Sequence, residues 1–322
     1  VLAVRLNEFG DPSVLTLEEV PEPVAGPEQT LIEVASSGVN YGDVLVRRGE
    51  YFGRKALPVI PGWEVVGTAA TADPAGAFVA GDRVVALLDG QGYAQRVAAP
   101  SRDVVPVPEG IGDQVALAMV IQGATAWRLL ESLTPGERVL ISGAGSGVTH
   151  LVVQLAKLRG AEEVIVVSSD HEKSERVLEL GADKVVGSGP GISLEEVLTA
   201  ELEGRKVDLL IDMVGGDTLL AMLRQLRPGG RAVIYGVAGG TPAKISTGAM
   251  LKNGWTVSGL WLGHSGAWSL REILARLFDL NASGDLTPTL GPVLPLSEAA
   301  EAHRAVEART GVGKVTLDCR PA

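Results

Sequence analysis

The segment Val139-Leu140-Ile141-Ser142-Gly143-Ala144-Gly145-Ser146-Gly147-Val148 runs from an apolar strand through alternate glycines into a helical stretch. Glycine lets a backbone approach a pyrophosphate closely, and the helix that follows offers free N–H groups and the positive end of its dipole. With a strand before the loop, a helix after it and a second strand over 163–167, the context points to dinucleotide binding. Gly143, Gly145, Ser146, Gly147 and Val148 are the first candidate contacts, and Thr149 stands where many such loops have a last glycine. A glycine-rich turn without a ligand is the competing reading, and it leaves the strand–helix–strand order unexplained.

The second strand ends in Val166-Val167-Ser168-Ser169-Asp170. Folds that bind NAD place an acid at this end to accept from the ribose hydroxyls. Here Ser168 holds that place, with Ser169 beside it, and Lys173 and Arg176 follow on the next helix. A hydroxyl and nearby cations suit a 2′-phosphate, so the expected cofactor is NADPH. Asp170 argues mildly the other way, and Lys173 with Arg176 also reads as a solvated helix face.

These residues need a scaffold. Strands are expected at Arg138–Ser142, Glu163–Val167, Val185–Val186, Val207–Ile211 and Arg231–Tyr235, with helices at Val148–Arg159, Glu172–Leu180 and Leu219–Leu226. That alternation argues for a parallel sheet covered on both faces. The first hundred residues differ. Alternating runs such as Val14–Val20, Thr30–Ala35 and Glu64–Ala69 are punctuated by Gly and Pro, the pattern of a small β-barrel. Pro228-Gly229-Gly230 reads as a turn ahead of a strand. The tail reads as helices Leu270–Leu280 and Ser297–Glu307, then a strand Gly313–Asp318.

The 322 residues suggest about two domains, and 46% hydrophobic residues suffice for buried cores. Twenty-eight basic against 39 acidic residues give a net charge of −11, which argues against a nucleic-acid partner. The one cysteine, Cys319, excludes an intrachain disulfide and any multi-cysteine zinc site. No apolar run is long enough for a membrane span, and the first residues read as a strand rather than a secretory signal. The expected location is the cytoplasm.

The chain resembles the medium-chain dehydrogenase/reductase superfamily, in its zinc-free quinone oxidoreductase and enoyl reductase branch. The likeness rests on Gly38-Val39-Asn40-Tyr41-Gly42-Asp43, Pro61-Gly62-Trp63-Glu64, Gln122-Gly123-Ala124-Thr125-Ala126, the glycine loop, Leu180-Gly181-Ala182-Asp183, Asp212-Met213-Val214-Gly215-Gly216 and Gly313-Lys314-Val315. It implies an α/β chain in which a Rossmann doubly wound parallel sheet is inserted into a β-rich GroES-like barrel. The expected boundaries are 1–122 for the first part of the catalytic domain, 123–258 for the NADPH domain and 259–322 for the return. The resemblance also implies cofactor contacts at Thr125, Val214, Gly236, Val237 and Ala238. Where zinc-dependent members carry a cysteine and a histidine ligand, this chain has Asn40 and Trp63, so no metal is expected. Glu64 remains from that motif and reads as a structural carboxylate in a turn.

Hydride addition to an enone or quinone builds negative charge on oxygen, which needs a donor and then a proton. Tyr51 resembles the tyrosine proton donor of enoyl-reducing relatives, and the alternative is packing beside Phe52. Asn40 offers an amide to the same oxygen, and the alternative is loop bracing, the role expected of Tyr41 and Asp43. His264 is a lone histidine and is read as structural. The expected function is an NADPH-dependent, zinc-independent reductase of a quinone or α,β-unsaturated carbonyl compound, working as a homodimer. A 2-enoyl thioester reductase is the alternative, with Arg47, Arg48, Arg54 and Lys55 as candidates for a basic entrance for coenzyme A phosphates, although a solvated loop explains the same charges more simply. A non-catalytic NADPH-binding protein is the alternative of another class.

Overall fold

A computed structural model describes residues 1–51, 56–263, 268–308 and 313–321. The chain divides into two units, Val1–Ala124 with Ser265–Ala322, and Thr125–His264.

The second unit is built on six described strands in the order Lys184–Gly187, Glu163–Ser168, Arg138–Ser142, Val207–Asp212, Leu226–Ile234, Thr256–Gly259. Every neighbouring pair is parallel. Parallel strands need crossovers, and helices Gly147–Leu158, His171–Glu179, Leu194–Glu201, Gly216–Leu223 and Thr247–Asn253 supply them. With helices on both faces, the inner strands are apolar throughout: Val139, Leu140 and Ile141 are all fully buried. The chain runs outward one way from Arg138–Ser142 and the other way from Val207–Asp212. Those two strands flank the point where the order reverses, where open α/β sheets bind ligands.

Several boundaries differ from the sequence expectation. The fifth strand begins at Leu226, not Arg231, because Arg227–Gly230 bulges out: Val207 pairs with Leu226 and Leu209 already pairs with Arg231. The helix expected at Leu219–Leu226 runs Gly216–Leu223 and starts on two glycines at positive φ, which a propensity reading takes for a loop. The short helices Leu194–Glu201 and Thr247–Asn253, capped by Ser193 and Ser246, were not expected, nor was the strand Thr256–Gly259.

The first unit holds a seven-strand sheet in the order Leu290–Pro295, Lys314–Asp318, Gln29–Gly38, Glu64–Ala69, Arg83–Leu87, Val104–Pro106, with Arg96–Pro100 also pairing to Gln29–Gly38. A register shift between Val34 and Ser36 bends the long Gln29–Gly38 strand between these partners. The C-terminal strand lies antiparallel to it, with Thr316 opposite Gly38. The tail thus completes the sheet that the first hundred residues begin. Ile32, Val65, Val84, Val97, Val104 and Leu317 are among its buried core. Glu64 opens a strand rather than sitting in a turn, and Asn40 caps an unexpected helix, Tyr41–Arg48.

Candidate functional site

The glycine loop leaves Arg138–Ser142 at Gly143, whose φ of +85° is open to glycine at little cost. A Cβ there would lie 2.9 Å from Met213 Sδ, and one at Gly145 would lie 2.7 Å from Lys173 Cδ. The loop backbone is therefore packed closely under Met213 and Lys173, where side chains at these glycines would clash. Ser146 caps the helix Gly147–Leu158 by accepting from the Val148 N–H at 3.2 Å. Below it, the fully buried His150 donates from Nε2 to Ala144 O at 2.8 Å. Burial lowers its pKa to about 4, so it stays neutral and pins the loop without adding charge.

The turns after the fourth and fifth strands are stitched together. Tyr235 N donates to Asp212 O, Ala238 N to Met213 O at 2.7 Å and Gly239 N to Val214 O. Gly236 packs with its α-carbon against Met213, where a Cβ would lie 3.1 Å from the Met213 carbonyl. Val237 packs on Gly215, and Val214 reaches toward Gly143. The structure thus brings Gly143, Gly145, Ser146, Gly147, Val148, Val214, Gly236, Val237 and Ala238 together at the carboxyl ends of neighbouring strands. Thr125 lies buried in the helix Ala124–Leu129 of the same unit and is not part of this hydrogen-bonded cluster.

At the end of the second strand, Ser168 Oγ donates to Asp170 O at 2.9 Å and accepts from Asp170 N at 3.2 Å. Asp170 accepts from Lys173 N, which holds its carboxyl below the usual range, and caps the helix His171–Glu179. Its carboxylate also lies 3.5 Å from Lys173 Nζ. Lys173 therefore lays its stem across Gly145 while sharing its charge with Asp170. Ser169 is exposed beside them. Arg176 pairs with Glu179 one turn along its own helix, as a solvated face does.

In the first unit Asn40, Glu64 and Lys314 form one buried network. Lys314 Nζ donates to Glu64 Oε1 and, at 2.9 Å, to Asn40 Oδ1. Asn40 Nδ2 donates to the same Glu64 oxygen at 2.9 Å, and Ile121 N donates to Glu64 Oε2. Lys314 and Glu64 are both fully buried. The buried Asp43 accepts from Asn40 N and Gly62 N. Desolvation raises its pKa to about 7 against those two donors. Tyr51 stacks at a tilt on Trp63, ring centres 4.8 Å apart, and Trp63 in turn fills the space over Gly42.

This donor set does not fit zinc. Asn40 and Trp63 are not ordinary zinc ligands, and the Glu64 carboxylate is already neutralised by an ammonium that would repel a dication. The basic entrance also fails in part. Arg47 is 1% exposed, 2.5 Å from Glu307, and its Nε donates to Gly10 O. Arg48 pairs with the same Glu307 at 2.6 Å. Arg54, Lys55, Phe52 and His264 lie outside the described residues.

Two residues at these sites carry no signal of their own in the sequence. Lys314 sits in a quoted motif, but nothing nearby in sequence names its partner 250 positions away. Asp212 likewise sits in a quoted motif, and its partner Ser142 lies on another strand.

Comparison with known proteins agrees with this architecture. Residues 26–109 match the alcohol dehydrogenase GroES-like domain, and residues 147–278 match the zinc-binding dehydrogenase family. A probable quinone oxidoreductase of Schizosaccharomyces pombe is 34% identical, covering 99% of this chain and 97% of its own. The chain belongs to the medium-chain dehydrogenase/reductase superfamily, in its quinone oxidoreductase branch. The quinone oxidoreductase of Thermus thermophilus, solved also in complex with NADPH, is 32% identical, with TM-score 0.83 over 99% of this chain and 100% of its own. A 2-haloacrylate reductase is 29% identical, with TM-score 0.86 over the whole of both chains. The superfamily includes zinc-dependent members, and the Asn40–Glu64–Lys314 network separates this chain from them on chemical grounds.

Proposed function

We propose that the protein is an NADPH-dependent, zinc-independent reductase of a quinone or an α,β-unsaturated carbonyl compound. The observation that carries this reading is the glycine loop opening onto the Gly147–Leu158 helix, with the Lys173 stem lying across it. Glycines at Gly143 and Gly145 let the loop backbone pack closely on Met213 and Lys173, and the helix that follows offers its N-terminus to a pyrophosphate. Ser168, Ser169 and Lys173 receive the 2′-phosphate, while Thr125, Val214, Gly236, Val237 and Ala238 serve the nicotinamide end. The quinone oxidoreductase from Thermus, solved with NADPH, supports the cofactor, and the 2-haloacrylate reductase supports an activated alkene as acceptor.

The cofactor supplies the hydride, and the chain's own groups handle charge and proton. Asn40 has one amide hydrogen left after serving Glu64, and it meets the oxygen on which charge develops. Tyr51 donates the proton, held in orientation by Trp63. The Glu64–Lys314 pair fixes Asn40 from both ends of its amide. The thioester alternative loses support, because Arg47 and Arg48 are both tied to Glu307. The strand Thr256–Gly259 is one of the two edges of the described parallel sheet, and a second copy of the chain covers it in the proposed homodimer.

The test is cofactor oxidation by the purified protein with a panel of simple quinones, enones and enoyl thioesters, using NADPH and NADH in parallel. Turnover of quinones or enones with NADPH is the expected result. Turnover confined to enoyl thioesters would replace the proposed acceptor class. Tight NADPH binding without turnover of any acceptor would leave a binding protein. Sedimentation equilibrium distinguishes dimer from monomer.

A further inference from the structure

Asp212 closes the fourth strand at the point where the strand order reverses, and its side chain is fully buried. Three groups donate to its carboxylate: Ser142 Oγ at 2.7 Å, Gly215 N at 2.8 Å and Val214 N at 3.2 Å. The backbone N–H groups of Val214 and Gly215 cannot reverse their bonds, and one goes to each carboxylate oxygen. The donors thus hold the group as an acceptor on both oxygens. No cation pairs with it among the described residues, and burial pushes its pKa above the usual carboxylate value against the hydrogen bonds from Ser142, Gly215 and Val214. A buried charge without a counter-ion is costly, and a chain that keeps one at a ligand crevice leaves the balancing charge to the ligand.

The two helices that begin at this crevice are prepared differently. Gly147–Leu158 is capped by the neutral hydroxyl of Ser146 and has no acid in its first turn, so it accepts an anion. Gly216–Leu223 follows its cap Gly215 and carries Asp217 in its first turn, which repels an anion, and the N–H groups of Val214 and Gly215 just ahead of it serve the Asp212 carboxylate. The anionic part of a dinucleotide is directed to the first helix and excluded from the second. What remains for the Asp212 side is the nicotinamide, whose ring is a cation when oxidised and neutral when reduced.

On the reading of this unit as a nicotinamide-dinucleotide site, we infer that Asp212 is a positioning residue whose unbalanced negative charge favours the oxidised cofactor over the reduced one. A ring that gives up its hydride becomes positive, and the buried carboxylate stabilises that product state. The bound reduced cofactor is therefore a stronger hydride donor than the free one. The Asp212–Ser142 bond also ties the glycine loop to the Met213–Gly215 turn.

The test is a pair of dissociation constants, for NADP⁺ and for NADPH, by titration at fixed pH and ionic strength. Asp212→Asn keeps the shape and removes the charge. The preference for NADP⁺ over NADPH is expected to fall about tenfold, equivalent to about 1.4 kcal/mol. Met213→Lys leaves Asp212 intact and brings an ammonium to a half-exposed neighbouring position, so it shifts the preference the same way and decides the matter if Asp212→Asn does not fold. Equal loss of both forms in Asp212→Asn, or an unshifted preference in Met213→Lys, overturns the inference and reduces Asp212 to a staple. A parent protein that binds neither form fails the dinucleotide reading itself, which is a separate result.

Discussion

Lys314→Met is the sharpest perturbation of the first unit. The parent places an ammonium and a carboxylate together with no solvent exposure, and Asn40 bridges them. Methionine keeps the length of the stem and removes the charge. Breaking a buried ion pair by removing one partner costs about 3–5 kcal/mol, because the other charge stays buried. Glu64 retains Asn40 Nδ2 and Ile121 N as donors, which places the loss near about 3 kcal/mol, at the low end of that range. With a urea slope of about 1–3 kcal/mol per molar, the midpoint moves down by about 1–3 M. The decisive variant is the double change Glu64→Gln with Lys314→Met, which leaves no buried charge. It is expected to recover at least half of the loss, since replacing both partners of a buried pair is often close to neutral. The assay is urea denaturation followed by tryptophan fluorescence and circular dichroism for the parent, both single variants and the double variant. A Lys314→Met midpoint equal to the parent's, or a double variant as weak as the two single losses combined, would refute the claim that the pair balances charge.

Lys173→Ala should weaken NADPH about tenfold and spare NADH, because the lysine shares its charge with Asp170 and contributes at the low end of a charged hydrogen bond of about 1.5–3 kcal/mol. Equal loss for both cofactors in titrations would show that Lys173 does not read the 2′-phosphate. Ser168→Asp should narrow or reverse the preference for NADPH, and an unchanged ratio would count against that position. Tyr51→Phe should lower enone turnover by about 10²-fold or more with NADPH affinity nearly unchanged, as for a positioned proton donor; unaltered turnover of every enone would make Tyr51 a packing partner of Trp63. Asp43 has a folded pKa of about 7 against an ordinary 3.8, so the folded protein keeps a proton that the unfolded chain releases. Its contribution to stability therefore falls as pH rises from about 4 to about 7 and levels off above. Asp43→Asn should flatten that part of the pH profile, and an identical slope in parent and variant, read from urea midpoints, would contradict the assignment.

The parallel-sheet unit was largely legible in the sequence because its signals are local. A strand, a glycine loop and a helix follow one another within about twenty residues, and each step has its own residue preference. What escaped were elements whose local chemistry misleads. Gly215 and Gly216 look like a loop but open a helix, since Gly215 adopts φ +78° and Gly216 φ +52° there. Pro228-Gly229-Gly230 reads as a turn ahead of a strand, yet pairing already begins at Leu226 and resumes at Arg231 on the same strand. Short helices capped by Ser193 and Ser246 carry too few turns for their periodicity to stand out.

The first unit was less legible for a different reason: its site is assembled from distant segments. The resemblance to the superfamily put Asn40 and Trp63 where zinc-dependent members have ligands, with Glu64 retained beside them. It did not tell what replaces them. A carboxylate retained in a buried site needs a positive partner or must take up a proton. Glu64 finds that partner in Lys314, delivered by the C-terminal strand that pairs with Gln29–Gly38. The same ammonium holds Asn40 Oδ1, so the amide is fixed by one cation and one anion at once, with a single hydrogen left to offer. One monovalent cation thus does two things that a dication would not: it balances the carboxylate without coordinating a water, and it turns a loop asparagine into an oriented donor. For the proposed reduction of an activated alkene or quinone, that exchange suits the chemistry, because the acceptor oxygen needs a hydrogen bond and a proton rather than a Lewis acid.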